Sequence, residues 1–202
     1  MAVDLGELLV GLRANASLTK RSESLLGDYM LDLTPGTPLQ ERCGSCTRCL
    51  DACPTAAFDA PGELDPRRCI SYLTIELRGA IPEEFRKPIG NRIFGCDDCQ
   101  LICPWNKFAR RHDEPDFRTR NDLDRATLAE LFAWSEEEFL RRTEGSAIRR
   151  TGYEGWLRNI AVALGNAPTS ETTLAALHSR EHEASDLVRE HVAWALAQHA
   201  SR

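Results

Sequence analysis

The spacing of apolar residues predicts a chain built mostly from helices. Four leucines between positions 5 and 12 fall at i, i+3, i+4 and i+7, the pattern of a short amphipathic helix. Helices are also predicted over residues 124–133 and 135–144. Residues 153–200 read as further helices with alanine-rich faces, so the second half of the chain is predicted to be entirely α.

The last helical region contains a weak internal repeat. The run Ile160-Ala-Val-Ala-Leu-Gly-Asn166 recurs 32 positions later as Val192-Ala-Trp-Ala-Leu-Ala-Gln198. Small residues recurring at this period are typical of helical units that stack in an α-solenoid, so the pattern predicts HEAT-like repeats. Because the chain holds only about one and a half such units, two unrelated alanine-rich helices are the alternative.

Composition and charge exclude several classes of protein. The chain has 202 residues, 42% of them hydrophobic, which suffices for one ordinary core or two small ones. A net charge of −6 argues against nucleic-acid binding through bulk charge, although it permits a local basic patch. No window is apolar enough to span a membrane, and Asp4 and Glu7 interrupt any secretion signal. We therefore predict a cytoplasmic protein with no membrane partner.

Cysteine usage is the departure from an ordinary composition. All eight cysteines lie between Cys43 and Cys103, and the last 99 residues contain none. Thiols stay reduced in the cytosol, where clustered cysteines usually hold a metal. The sequence thus predicts three parts: an N-terminal part over 1–40, a metal-binding domain over 41–110 and a helical region over 111–202.

The first cysteine motif is Cys43-Gly-Ser-Cys46-Thr-Arg-Cys49-Leu-Asp-Ala-Cys53-Pro54. Its spacing, C-x2-C-x2-C-x3-C-P, is that of bacterial-type two-cluster ferredoxins. Three thiolates spaced by two residues on one tight loop can each reach a different iron of one cubane. Cys53 is then predicted to enter a helix and point away from that cubane, and Pro54 suits the first turn of such a helix.

A second run, Cys96-Asp-Asp-Cys99-Gln-Leu-Ile-Cys103-Pro104, repeats this motif with one loop cysteine missing, and the isolated Cys69 supplies it. Eight cysteines then give four ligands to each of two [4Fe–4S] clusters. The predicted ligands are Cys43, Cys46, Cys49 and Cys103 for the first cluster, and Cys53, Cys69, Cys96 and Cys99 for the second. Because each motif sends its last cysteine to the other cluster, we expect the two clusters to lie close together as an electron path.

Two other roles for the cysteines stay open. Pairs spaced C-x2-C also bind zinc, so two sites of four cysteines each are the first alternative. Three such cysteines on one loop, followed by Cys-Pro, are more typical of an iron–sulfur protein. Disulfides are the second alternative, and they conflict with the predicted reducing compartment.

Three stretches of the sequence resemble epoxyqueuosine reductase. They are CISYLTIE over 69–76, IGNRIFGCDDCQLICPWN over 89–106, and GSAIRR with WLRNIAVALGN over 145–166. The likeness runs from near Ser24 to the C terminus and covers the second part of that family's usual length. It implies a mostly α fold in which a bacterial-type two-[4Fe–4S] ferredoxin-like domain is followed by a HEAT-like α-helical domain.

The resemblance also implies an activity. The family reduces epoxyqueuosine to queuosine in tRNA, using a cobalamin that receives electrons from the two clusters. It implies an oxidoreductase of queuosine biosynthesis whose partners are a tRNA anticodon stem-loop and an electron donor.

In that family an N-terminal domain holds the cobalamin and supplies the catalytic acid. Only Ser24–Leu33 resembles the end of that domain, so residues 1–40 are interpreted as a helix and its remnant. We therefore expect no catalytic residue in this chain. A gene fragment, a wrongly assigned start, or half of a split enzyme would each explain the difference. In the last case a separate cobalamin-binding half would be a partner.

Further site residues are predicted beside the cysteines. Ser71, Asp97 and Asp98 are candidates to face the cobalamin of a complete enzyme. The alternative for the two aspartates is solvation or hydrogen bonding of their loop.

Three arginines are predicted to bind tRNA. Arg149, Arg150 and Arg158 are expected on one face of antiparallel helices, where positive charge holds a phosphate backbone without reading bases. An ordinary charged surface is the alternative.

A stand-alone ferredoxin-like electron carrier with a helical protein-docking tail is the rival interpretation of the whole chain. A truncated enzyme with a structural role is the third. Residues 145–166 favour the reductase, because a simple ferredoxin has no reason to carry that stretch.

Overall fold

The computed structural model describes residues 17–22, 29–34, 44–60, 62–109 and 118–201. It divides the chain into two compact units, Met1–Cys46 and Thr47–Arg202. The helix predicted over residues 5–12 lies outside the described residues.

The first unit contains an antiparallel hairpin. Strand β1 (Ser17–Ser22) pairs with strand β2 (Tyr29–Thr34), and the register runs from Ser17 opposite Thr34 to Ser22 opposite Tyr29. The sequence pattern did not predict these strands, because neither SLTKRS nor YMLDLT alternates strictly between apolar and polar residues.

The second unit is mostly helical in its described part, as predicted. Its α-helices are α1 (Arg48–Asp51), α2 (Glu83–Ile89), α3 (Asp98–Leu101), α4 (Leu128–Phe132), α5 (Glu136–Arg142), α6 (Gly152–Asn166), α7 (Glu171–His178) and α8 (Asp186–Ala200). It also contains a π-helix (Tyr72–Glu76), a hairpin of β3 (Phe58–Ala60) and β4 (Glu63–Leu64), and 3₁₀ turns at Pro66–Arg68, Pro104–Phe108 and Ala147–Thr151. No helix in the described ranges is long and apolar enough to cross a membrane.

Hydroxyl side chains start helices α4 and α5. Thr127 accepts a hydrogen bond from the Glu130 backbone N–H, while the Glu130 carboxylate accepts from the Thr127 backbone N–H. This reciprocal capping box sets the start of α4 at Leu128, four residues after the predicted start at 124. Ser135 caps α5 in the same way through the N–H of Glu138.

Helix α6 lies at the centre of the second unit. Every residue from Trp156 to Gly165 is buried. One apolar cluster packs α6 against α4, α5, α7 and α8, and a second joins Val162 to Ile70, Leu73, Ile81 and Ile89. The separation predicted between residues 41–110 and 111–202 is therefore not found among the described residues, because both parts pack on the same helix within one unit.

The repeated sequence lies on two helices that cross closely. Ile160–Asn166 belongs to α6 and Val192–Gln198 to α8, and the two helices pack together. At Gly165, an added Cβ would come within 2.6 Å of Trp194 Cζ3 and 2.9 Å of the Ala195 Cα. The hydrogen side chain of Gly165 thus allows the helices to approach, as small residues do at close helix crossings.

We expect Gly165→Ala to lower the free energy of unfolding by about 1–3 kcal/mol, because the new methyl group overlaps backbone that cannot move aside. The matched control is Gly155→Ala in the same helix, where the nearest atom is 3.8 Å away. That change should be neutral or stabilising by about 1 kcal/mol, since alanine is the better helix former. Chemical denaturation of both variants measures this, and equal effects would contradict the close crossing.

A buried histidine links α8 to the loop before α2. The backbone N–H of Ile81 donates to His191 Nε2 at 3.1 Å, and His191 Nδ1 lies 2.7 Å from the Leu187 carbonyl. This arrangement needs the neutral ring, with its proton on Nδ1. Burial, assisted by the charge of Arg86, lowers the pKa of His191 to about 4.

This histidine should make folding pH-dependent. Its folded pKa is below the ordinary value of 6.5, so its contribution is complete above pH 6.5 and is lost as the pH falls towards 4. We expect the free energy of unfolding to fall by about 2 kcal/mol more between pH 7 and pH 5 in the wild type than in His191→Gln. Denaturation at both pH values measures this, and parallel pH profiles would contradict it.

Candidate metal centre

The two cysteine motifs fold alike around short helices. Thr47 and Asp97 precede α1 and α3 with nearly equal backbone angles, φ −114° and ψ 5° against φ −117° and ψ 16°. In each motif the last cysteine follows the helix, and its N–H donates to a carbonyl three residues back, Cys53 to Leu50 and Cys103 to Gln100. The sequence repeat between the motifs is thus also a structural repeat.

The segments after the two motifs differ. Pro104 begins a 3₁₀ turn that continues to Phe108. Pro54 lies in a tight turn instead, so the helix predicted to follow Cys53 is wrong. The physical reason is a hydrogen bond from the Ala57 N–H to Cys53 Sγ at 3.3 Å, which folds the chain back onto the sulfur.

Four cysteines line one cavity in the second unit. They are Cys53, Cys69, Cys96 and Cys99, and they come from three separate segments, because Cys96 and Cys99 share one motif. Apolar groups supply most of the remaining wall, among them Ala57, Phe58, Leu64 and Ile70. All four thiols are free and partly exposed. The set has the number and type of donors that a cubane requires, one thiolate for each of four irons.

Reciprocal hydrogen bonds hold two of these segments together. Ser71 Oγ donates to the Cys96 carbonyl at 3.2 Å and accepts from the Cys96 N–H at 3.0 Å. Thr74 Oγ1 accepts from the Gly95 N–H at 2.9 Å and donates to the Ile70 carbonyl. The helical segment that follows Cys69 therefore fixes the loop that carries Cys96.

The electrostatics of the cavity favour a cationic occupant. Burial raises the pKa of the Cys96 and Cys99 thiols, and the neighbouring Cys69 and Cys96 add to the rise at Cys99. At Cys53 burial acts in the same direction, but hydrogen bonds led by the Ala57 N–H outweigh it and lower the pKa. Four thiolates in one cavity repel each other, and a positive metal core relieves that repulsion.

The four predicted ligands of the first cluster do not all lie in the described part of the second unit. Cys43 lies outside the described residues, and Cys46 belongs to the first unit, so their relation to Cys49 and Cys103 stays a prediction. Cys103 shares an open cavity with Cys99. Large apolar side chains are exposed beside it: Leu101, Ile102, Trp105 and Phe108.

The residues predicted on the cobalamin side lie together. Ser71, Asp97 and Asp98 line a cavity of about 450 Å³ that also includes Cys96. Asp98 is paired with Arg92 at 2.5 Å, and the Asp97 carboxylate accepts from the Gln100 amide at 3.1 Å. A cobalamin role for these three residues stays a prediction.

The three arginines predicted to bind tRNA do not share a surface. Arg149 is exposed, and Arg150 is exposed but paired with Glu76 at 2.8 Å. Arg158 is only 1% exposed and donates to backbone carbonyls, so the prediction that it faces solvent is wrong. Burial lowers its pKa to about 10. The physical reason is that α6 is buried on all sides at this point.

Sequence reasoning missed the structural role of α6. Arg158, which is predicted to bind phosphate, and the adjacent Asn159 are both buried and bonded to the segments beside the cysteines. The available signal was their position between Trp156 and Ile160 in a stretch of mostly small and apolar residues. Polar side chains in such a stretch are usually satisfied internally.

Comparison with known proteins agrees with this geometry. A model described as a 4Fe-4S double cluster binding domain matches residues 42–106. An epoxyqueuosine reductase from Xanthomonas campestris pv. campestris is 73% identical over 176 residues, covering 86% of this chain and 50% of that protein. The chain is similar to epoxyqueuosine reductases over most of its own length. It spans about half the length of the curated relatives it matches, including one from Escherichia coli that is 59% identical over 179 residues.

Solved structures of epoxyqueuosine reductases have the same fold. One, solved with a tRNA-Tyr epoxyqueuosine-modified stem loop, superposes with a TM-score of 0.73 at 38% identity and covers 81% of this chain and 44% of that one. The Bacillus subtilis enzyme superposes with a TM-score of 0.74 at 29% identity, covering 96% of this chain and 60% of that one.

Proposed function

We propose that this chain is the iron–sulfur and tRNA-docking part of an epoxyqueuosine reductase, which reduces epoxyqueuosine to queuosine in tRNA. The observation that carries the proposal is the single cavity lined by Cys53, Cys69, Cys96 and Cys99. The match to a double-cluster domain and the identity to reductases support the same conclusion.

Two [4Fe–4S] clusters are the proposed resident cofactors. The second cluster takes the four cysteines of the cavity, and the first takes Cys43, Cys46, Cys49 and Cys103. The Ala57 N–H, donating to Cys53 Sγ, would stabilise the charge on one thiolate of the second cluster. The two cysteine motifs have similar backbone conformations around α1 and α3, which supports placing the clusters side by side as an electron path.

A cobalamin is the proposed electron acceptor in the complete enzyme, where it would supply the reducing centre that acts on the base. The cavity of Ser71, Asp97 and Asp98 beside Cys96 is the part of this chain that would face it. In this proposal Ser71 keeps the Cys96 backbone in place, and the Arg92–Asp98 pair fixes the cavity rim. The remaining partners are an electron donor and a separate cobalamin-binding half.

The proposed substrate is the anticodon stem-loop of a tRNA. The stem-loop complex of a relative supports this assignment, and Arg149 and Arg150 are the exposed cations of the predicted set. We propose that α6 and α8 belong to a HEAT-like region that holds the RNA. A tRNA substrate and reduced thiols also accord with the predicted cytoplasmic location.

The rival function is electron transfer without RNA binding. The apolar side chains exposed near Cys103, among them Trp105 and Phe108, would suit a protein partner of a ferredoxin-like carrier. The rival predicts clusters but no affinity for tRNA, so RNA binding separates the two functions.

We expect the anaerobically reconstituted chain to hold about eight irons and eight sulfides, following four cysteine ligands for each cubane. Cys69→Ser should lose about half of the iron by damaging only the second cluster, and Cys103→Ser about half by damaging only the first. Metal and sulfide analysis with electron paramagnetic resonance (EPR) measures this. Stoichiometric zinc without sulfide would overturn the proposal.

We expect the double substitution Arg149→Ala with Arg150→Ala to weaken binding of a tRNA-Tyr anticodon stem-loop by about tenfold at low salt. Each lost phosphate contact should also reduce the slope of log affinity against log salt by about 1. The matched control removes two other exposed arginines, Arg125 and Arg141. Equal losses in the two double variants would show that bulk charge, and not this surface, binds the RNA.

A further inference from the structure

Helix α6 contributes two buried polar side chains that no proposed ligand or substrate contact explains. Arg158 and Asn159 are each 1% exposed. Asn159 Oδ1 accepts from Arg158 Nε at 3.1 Å and from Nη2 at 2.8 Å, so the two residues form one unit. Their remaining donors all point to backbone carbonyls of other segments.

Those carbonyls follow Cys69 along the chain. Arg158 donates to the carbonyls of Leu73, Leu77 and Gly79 at 2.7–2.8 Å, and Asn159 Nδ2 donates to that of Thr74 at 2.7 Å. The π-helix closes with a bond from the Leu77 N–H to the Tyr72 carbonyl, which leaves the next carbonyls without partners in the helix. The pair on α6 satisfies them.

Asn159 also donates a hydrogen bond to the loop that carries Cys96. The same Nδ2 donates to the Ile93 carbonyl at 2.9 Å, three residues before Cys96. One amide therefore ties the segment after Cys69 to the segment before Cys96. The Gly95–Thr74 and Cys96–Ser71 hydrogen bonds join the same two segments. The position of Cys69 relative to Cys96 therefore depends on this set of hydrogen bonds.

We propose that Arg158 and Asn159, which lie on α6 in the helical region, are positioning residues of the second cluster. They set the distance between Cys69 and Cys96. This inference rests on the proposed function, because it assumes a cluster in the cavity. Neither residue touches the cavity, so the effect passes through the carbonyls that they hold. A buried carbonyl that loses its donor must find another partner, and the segment moves to do so.

The chain supplies a matched control for Asn159. Asn166, two turns further along α6, uses its Nδ2 to donate to the carbonyls of Arg86 at 2.7 Å and Gly90 at 3.0 Å. Like Asn159, it donates two hydrogen bonds to another segment, here the end of α2, which carries no cysteine. Asn→Asp at either position is isosteric, adds the same negative charge and removes both donors. The two sites differ in the segment that is released, in burial, and in the Arg158 hydrogen bonds that Asn159 accepts.

The test is an EPR-monitored redox titration of reconstituted wild type, Asn159→Asp and Asn166→Asp. We expect Asn159→Asp to shift the midpoint potential of one of two cluster signals and leave the other unchanged as an internal reference. Asn166→Asp should leave both potentials unchanged, although it destabilises the fold. If Asn159→Asp does not fold, Arg158→Lys replaces it, because one ammonium keeps the charge but cannot reach three carbonyls.

A second readout does not need the cluster. Amide hydrogen exchange in the metal-free chain should lose at least tenfold protection at Gly95 in Asn159→Asp, and not in Asn166→Asp. Unchanged potentials and unchanged exchange at Gly95 in a folded Asn159→Asp or Arg158→Lys would overturn the inference. A wild type that holds no iron would instead overturn the proposed function, so the two failures are distinguishable.

Discussion

Buried backbone carbonyls in the segment after Cys69 are the constraint on which the described second unit depends. Leu73 and Thr74 are 1% and 0% exposed, so water cannot satisfy their carbonyls. An unpaired buried carbonyl costs about 1–3 kcal/mol. Donors must therefore come from another element, and Arg158 and Asn159 of α6 provide them. The segment between Cys69 and Cys96 is therefore held in shape by a helix more than 80 residues away in sequence.

The position of α6 follows from this requirement. A helix that carries polar donors to one segment and apolar groups to four other helices cannot belong to a separate domain. It is buried all round, and Gly165 lets α8 cover it closely. The segments that carry Cys53, Cys69, Cys96 and Cys99 consequently share one unit with the helical region. The four-cysteine cavity is therefore built on the same apolar and polar contacts that hold α6 in place.

Local chemistry was predictable from the sequence, and long-range polar contacts were not. The spacing of Cys96, Cys99 and Cys103 predicted the repeated motif, because ligand spacing reflects the geometry of a short loop. The predicted helices at 124–133 and 135–144 likewise lie near the observed α4 and α5. The apolar residues around Arg158 indicated burial, but its partners were unpredictable, because they lie on a segment about 80 residues away in sequence. The packing of the cysteine segments on α6 was unpredictable for the same reason.

The central claim is that the four-cysteine cavity holds an iron–sulfur cubane. Iron X-ray absorption spectroscopy of the anaerobic Cys103→Ser chain tests it most directly, because that variant should retain only the cluster of the cavity. The account predicts a sulfur-only ligand shell with iron–iron scattering. Iron bound to nitrogen or oxygen, or a sulfur shell around zinc without iron–iron scattering, would contradict it.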